Sequence, residues 1–84
     1  MNWFVYIAKS RTSHYYIAIT TDIYKRIKSH NEGKGSQMAR QQGPFNLVYT
    51  SSPFINKSDA RKREAQIKKW SRFKKEKLIR EEWK

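Results

Sequence analysis

Residues Trp3-Phe4-Val5-Tyr6-Ile7-Ala8 and Tyr15-Tyr16-Ile17-Ala18-Ile19-Thr20 are two short runs rich in β-branched and aromatic side chains. Such runs, bounded by polar residues, read as β-strands. The gap Lys9-Ser10-Arg11-Thr12-Ser13-His14 is too short for a crossover helix, so the pair is expected to be an antiparallel hairpin. Alternation puts Trp3, Val5 and Ile7 on one face of the first strand and Phe4, Tyr6 and Ala8 on the other. In the second strand Tyr15, Ile17 and Ile19 oppose Tyr16, Ala18 and Thr20. If the aliphatic sets share a face, Tyr6 and Tyr16 come together on the opposite one. That alignment needs a turn with an odd number of residues, or an even one with a bulge. A half-buried strand contains aromatics in any case, so residue types alone leave the role of the two phenols open.

Downstream of the hairpin, Thr20-Thr21-Asp22 is a helix-start cluster. Ile23, Ile27 and His30 then fall on one helical face, with Tyr24 flanking it, and Asn31-Glu32-Gly33 ends the helix. Arg26 and His30 lie four residues apart and project from one side. Gly33-Lys34-Gly35-Ser36 reads as a turn without phosphate-loop spacing, and residues 37–42 as a short helical turn. After Gly43-Pro44, Phe45 to Thr50 reads as a third strand, closed by Ser51-Ser52-Pro53. Asn56-Lys57-Ser58-Asp59 opens a second helix with Ser58 as the expected N-cap; Ala60, Ile67 and Trp70 share one arc, with Glu64 at its border. Ser71 is placed to cap a third helix, whose apolar contacts are assigned to Phe73, Leu78, Ile79 and Trp83. The order β-β-α-β-α-α predicts an α+β fold in which a three-stranded antiparallel sheet is flanked by helices.

Charge bounds the partners. The chain has 84 residues, 19 Lys and Arg against 7 Asp and Glu, and a formal charge of +12. Residues 1–56 carry seven basic and two acidic residues, a net +5; residues 57–84 carry twelve and five, a net +7. The excess is spread over the chain, which points to a polyanion, above all nucleic acid, bound with steep salt dependence. The length is that of one domain, 1–84, with a small core. The absence of cysteine excludes disulfides and thiolate metal sites. The longest apolar run, Trp3 to Ala8, is too short for a membrane span or a signal-peptide core, so a cytoplasmic protein with no membrane partner is expected.

Two tyrosines on one sheet face, Arg26 and His30 on the next helix and Glu64 on a later one stand in an order that resembles the GIY-YIG endonuclease domain. In detail the chain is similar to the small stand-alone members of that family (UPF0213, YhbQ-like). Val5-Tyr6-Ile7 corresponds to the first half-motif and Tyr16-Ile17-Ala18 to the second. Ile19-Thr20-Thr21-Asp22, Arg26 and His30-Asn31 match the segment that follows; Gly33-Lys34-Gly35, Arg40 and Leu47-Val48-Tyr49 match further on; Arg63-Glu64 with Ile67-Lys68-Lys69 matches the acidic helix. Two positions depart from the pattern: Ala18 stands where the second half-motif ends in glycine, and Met38 where the small members carry a tyrosine.

The resemblance implies a phosphodiesterase that cuts DNA with one divalent metal, Mg²⁺ or Mn²⁺, held by Glu64. It implies that Tyr6 or Tyr16 helps to activate the attacking water. A free phenol titrates near pH 10 and is a poor base at neutral pH unless a cation or metal is close. Arg26 would supply that charge and hold the scissile phosphate, and His30 would shuttle a proton or orient a neighbour. Lys34, Arg40, Lys68 and Lys69 would hold the nucleic-acid backbone without reading bases. The target is left open among branched, nicked or damaged DNA in repair or recombination, with a protein partner as one source of specificity and the oligomeric state undetermined. Each residue also has a plainer reading: Glu64 as the i,i+4 partner of Lys68 on the surface, His30 as a partly buried histidine, Arg26 as one more surface charge. The competing reading of the whole chain is a nucleic-acid-binding module that keeps the fold without the chemistry.

Overall fold

The structure is a computed structural model that describes residues 1–31 and 44–80, and of His30 the backbone alone. Gly33, Lys34, residues 37–42 with Met38 and Arg40, and Trp83 lie outside the described residues. The elements are β1 (Phe4–Lys9), β2 (Tyr15–Thr20), α1 (Ile23–Asn31), β3 (Asn46–Thr50), α2 (Lys57–Lys68) and α3 (Arg72–Ile79). The sheet is antiparallel with β1 in the centre, in the order β2-β1-β3. This is the expected α+β architecture.

Lys9 joins β1 and pairs with Tyr15, which leaves the odd-numbered loop Ser10–His14. The loop closes on its own side chains. Ser10 is buried; its Oγ accepts from the His14 N–H at 3.0 Å and lies 3.0 Å from Thr12 Oγ1. Ser13 takes a positive φ of 68°, a conformation a residue with a Cβ adopts only at some cost. Its carbonyl accepts a 2.8 Å hydrogen bond from Arg72 Nη1, which ties the loop to α3.

Alternate residues of the hairpin then separate two packing layers. Val5, Ile7 and Ile17 pack with Ala60, Ile67 and Leu78 beneath α2 and α3, joined by Trp3, Phe54, Trp70 and Ile79. Tyr6, Ala8, Tyr16 and Ala18 face the other way and are covered by Ile23 and Ile27 of α1 together with Phe45. β3 follows the same partition with one irregularity. Ile7 pairs with Tyr49 but Ala8 with Leu47, so Val48 is an extra residue in a bulge. Val48 and Tyr49 therefore both pack on the aliphatic side, which is why this strand alternates only loosely in sequence.

The helix starts are partly as expected. Asp22 Oδ1 accepts from the Lys25 N–H at 3.0 Å, and Ser71 Oγ from the Lys74 N–H at 3.2 Å. Ser58 is not a cap. Asn56 holds the extended N-cap position of α2, and Ser58 lies in its first turn. This choice puts Asp59 at the third helical position, where a carboxylate complements the helix dipole and meets Asn56 Nδ2 at 3.5 Å. Phe73 is a second correction. It is 63% exposed, because Leu78 and Ile79 alone turn α3 toward the core, and its ring lies under Lys77 Nζ at 4.8 Å.

Candidate active site

The hairpin register decides the position of the phenols. Tyr6 pairs with Ala18 and Ala8 with Tyr16, so the tyrosines are diagonal neighbours on the face covered by α1. Their surroundings differ. Tyr6 lies in the central strand and is wholly buried; Tyr16 lies on the edge strand and is half-buried. The Tyr16 ring packs against Phe45 at 5.8 Å between centroids and a 57° tilt. Phe45 is in turn held by the end of α1. Asn31 Oδ1 accepts from the Phe45 N–H at 2.6 Å, and Asn31 Nδ2 donates to the Phe45 carbonyl at 3.2 Å. The last residue of the helix thus fixes the ring that backs Tyr16.

Arg26 is presented by α1. Ile23 and Ile27 anchor the helix on the sheet, and Arg26, one position before Ile27, emerges at the flank that faces β2. Its guanidinium donates a hydrogen bond to the Tyr6 phenol. Burial raises the Tyr6 pKa above the ordinary tyrosine range; Arg26 opposes the rise through its hydrogen bond and its charge, while Tyr16 and Glu64 add to it. The rise wins. Arg26 alone does not lower the Tyr6 pKa, because desolvation outweighs the single cation. Beside it, Lys25, Arg26 and Ser29 line a small polar hollow with Thr20, Thr21 and Asp22.

Glu64 reaches the same region from α2, round the outer edge of β2. A groove of about 390 Å³ runs along this edge, lined by Tyr15 to Ala18, Glu64, Lys68 and Lys75. The Glu64 side chain is only 16% exposed and sits 3.4 Å from Lys68 Nζ, the i,i+4 pair expected of a plain surface reading. Yet Glu64 is near enough for its charge to act on Tyr6. Lys75 joins Lys68 at the groove from α3, and Lys69 is exposed beyond it. Ala18, at the position of the departing glycine, is part of the groove wall. Tyr15, one residue from Tyr16 and on the opposite face, is held by a 3.2 Å bond from its phenol to Glu76 Oε2.

The structure thus brings Tyr6, Tyr16 and Arg26 together on one face of the sheet, with Glu64 at the edge of β2, from four elements. Residues 2–77 match the family model of the GIY-YIG catalytic domain. The chain belongs to the GIY-YIG family. This is a nuclease family whose members generally use a divalent metal and have DNA as substrate. Within it, the chain is similar to UPF0213 proteins. It is 43% identical over 79 residues to the UPF0213 protein BH0048 of Halalkalibacterium halodurans, across 94% of this chain and 83% of that protein. It is 38% identical over 80 residues to the UPF0213 protein YazA of Bacillus subtilis, across 95% and 80%. The solution NMR structure of the UPF0213 protein BH0048 from Bacillus halodurans matches the fold with a TM-score of 0.59 at 43% identity, over 94% of this chain and 83% of that one.

Against the GIY-YIG expectations, the side chains of His30, Lys34 and Arg40 lie outside the described residues. No helix among the described residues is long and apolar enough to cross a membrane. No group of three His, Cys, Asp or Glu stands together among them, and Glu64 is the one carboxylate that lines the groove. Its chemistry fits one kind of metal site. A single, partly shielded oxygen donor suits a hard divalent ion that keeps most of its water, and Lys68 would have to yield the carboxylate to it. Sequence reasoning missed two features. Lys25 beside Arg26 looks like any helical surface lysine. The clamp of Asn31 on Phe45 joins residues 14 apart, and no local pattern announces it.

Proposed function

We propose that this chain is a divalent-metal-dependent endonuclease that hydrolyses DNA phosphodiester bonds. The observation that carries the reading is the hairpin register: it puts Tyr6 and Tyr16 on the face reached by Arg26, with Glu64 at the rim. Glu64 would hold Mg²⁺ or Mn²⁺, which supplies stabilisation of the negative charge on the departing oxygen. Arg26 binds the scissile phosphate and neutralises charge as it develops there. Tyr16 lines the open groove and orients the attacking water. Tyr6 is buried and neutral, and serves as a positioning residue that holds the Arg26 guanidinium. His30, one turn beyond Arg26 in α1, relays a proton. Lys68 and Lys69, with Lys34 and Arg40, hold the flanking phosphates. A small basic surface of this kind favours branched, nicked or damaged DNA over a defined sequence, in cytoplasmic repair or recombination, with a protein partner adding specificity.

The test is nicking of supercoiled plasmid with Mg²⁺ or Mn²⁺. Glu64→Ala is expected to lower the rate by about 100-fold or more, the scale of losing one charge-stabilising group. Cleavage that survives this substitution overturns the reading. The Lys68–Glu64 pair and Ala18 in place of glycine at the groove favour a second reading, a binding module without chemistry. It predicts salt-sensitive DNA binding and no cleavage with either metal.

A further inference from the structure

α1 has a second flank. Arg26 emerges toward β2, and Tyr24, on the opposite side of Ile23 and Ile27, emerges toward β3. There, Phe4, Ile23, Tyr24 and Leu47 enclose a mainly apolar groove of about 360 Å³, edged by Thr21 and Asp22. The Tyr24 side chain is 86% exposed and makes no hydrogen bond or ring contact among the described residues. Leu47 beside it is 38% exposed. This sets Tyr24 apart from the aromatic rings around the C-terminal helices. Trp3, Tyr15, Trp70 and Phe73 each lie under a lysine or arginine at 4.4 to 5.0 Å. A cation over a ring occupies the face on which a flat ligand stacks.

The apolar groove and the polar hollow of Lys25 and Arg26 share Thr21 and Asp22, so they adjoin around the start of α1. One is cationic and suits a phosphate. The other is apolar, with an exposed aromatic ring and a carboxylate at its edge. Asp22 spends one oxygen on the Lys25 N–H, and the other takes no hydrogen bond among the described residues. A carboxylate accepts from the exocyclic amine of a base. Resting on the proposed phosphate-binding role of Arg26, we infer that this groove takes an unstacked nucleobase from the strand whose phosphate lies against Arg26. The net charge of +12 supplies the attraction for that strand. A paired base keeps both faces stacked and its amine engaged, so the groove selects single-stranded or distorted DNA. This defines the class of substrate for the proposed cleavage.

The experiment measures binding without metal, in EDTA, by fluorescence anisotropy. The probes are a labelled single-stranded DNA, the same sequence as duplex, and an all-abasic strand of equal length. Tyr24→Ala is expected to weaken single-strand binding about tenfold, within the ~1–3 kcal/mol of one base–aromatic stack. It leaves duplex and abasic binding unchanged, and Tyr24→Phe restores the affinity. Leu47→Ser, at a second exposed position, has the same selective effect, and melting curves check that both variants fold. Equal weakening for all three probes, or no weakening of the single strand, overturns the inference. So does a dimer in sedimentation that Tyr24→Ala abolishes, because the groove then belongs to a second copy. Arg26→Ala separates the two proposals. Loss of phosphate binding to all three probes supports the Arg26 hollow, whereas a selective Tyr24 effect without plasmid nicking overturns the nuclease chemistry and leaves the base site standing.

Discussion

The two faces of the β1–β2 hairpin are made by alternate residues of the same strands, and they are built for different ends. On one face Val5, Ile7 and Ile17 meet Ala60, Ile67 and Leu78, an aliphatic centre ringed by aromatic side chains such as Trp3, Phe54 and Trp70. On the other, Tyr6 is as deeply buried as Ile7, but its phenol is tied to an exposed arginine and feels the charge of Glu64. Fully burying a Val, Leu or Ile side chain contributes roughly 1.5–3 kcal/mol. Burying a polar group costs free energy unless it is hydrogen-bonded. The aliphatic face therefore supplies stability, and the tyrosine face draws on it to hold polar groups in place. A two-residue period lets a chain this small keep both tasks in six-residue strands without mixing them.

The sharpest way to break this comparison is at the aliphatic face. Ile7→Ala is expected to cost about 2–5 kcal/mol, a large part of the stability of so small a fold, read as a fall in the denaturant midpoint. A cost below that of a surface substitution would mean that α2 and α3 do not carry the fold. An intermediate effect is expected from alkali. The Tyr6 pKa is raised in the folded state, so the fold binds this proton more tightly than the unfolded chain does. Its contribution is intact below the ordinary tyrosine value near 10 and is lost as pH rises through the raised value. Tyr15, also raised, adds in the same direction, with burial as the main cause and its bond to Glu76 second. Thermal melts from pH 7 upward should show stability falling above about pH 10, and Tyr6→Phe should fall less steeply than the wild type. Identical slopes would remove Tyr6 from the account. The smallest effect is expected at the rim. Lys68→Ala breaks an exposed i,i+4 pair worth about 0.2–0.5 kcal/mol and should leave the melting curve nearly unchanged. A large loss there would make the Glu64–Lys68 pair a structural bridge and weaken its claim as a metal site.

Much of this arrangement was legible in the order of residues. The apolar runs, the caps at Asp22 and Ser71, and the arc of Ala60, Ile67 and Trp70 are local signals, each carried by a few neighbouring residues. The Ser58 cap failed because Asn56 and Ser58 are both acceptable N-caps, and the choice fell to the one that places Asp59 at the third helical position, beside the Asn56 side chain. Phe73 failed because an eight-residue helix has only one side facing the core, and Leu78 and Ile79 settle which. The chemistry of the site was legible as a set of residue types, but the state of Tyr6 was not. Whether a phenol beside an arginine titrates low or high depends on how much water it loses, and sequence does not report that.

The elements, their α+β order and the two-faced hairpin follow from local residue patterns, because alternation and capping act over a few residues. The sequence also supplied the tyrosine, arginine and glutamate set by resemblance to the GIY-YIG pattern. Only the tertiary structure decided that β1 is the central strand and β2 an edge. From that follow the burial of Tyr6, the groove beside Tyr16 and the approach of Glu64 round the open side of β2. The physical reason is that strand order and desolvation are set by contacts between residues far apart in the chain. Tyr6 and Tyr16 look alike in sequence and acquire different surroundings only when β3 covers one side of β1 and leaves β2 at the edge.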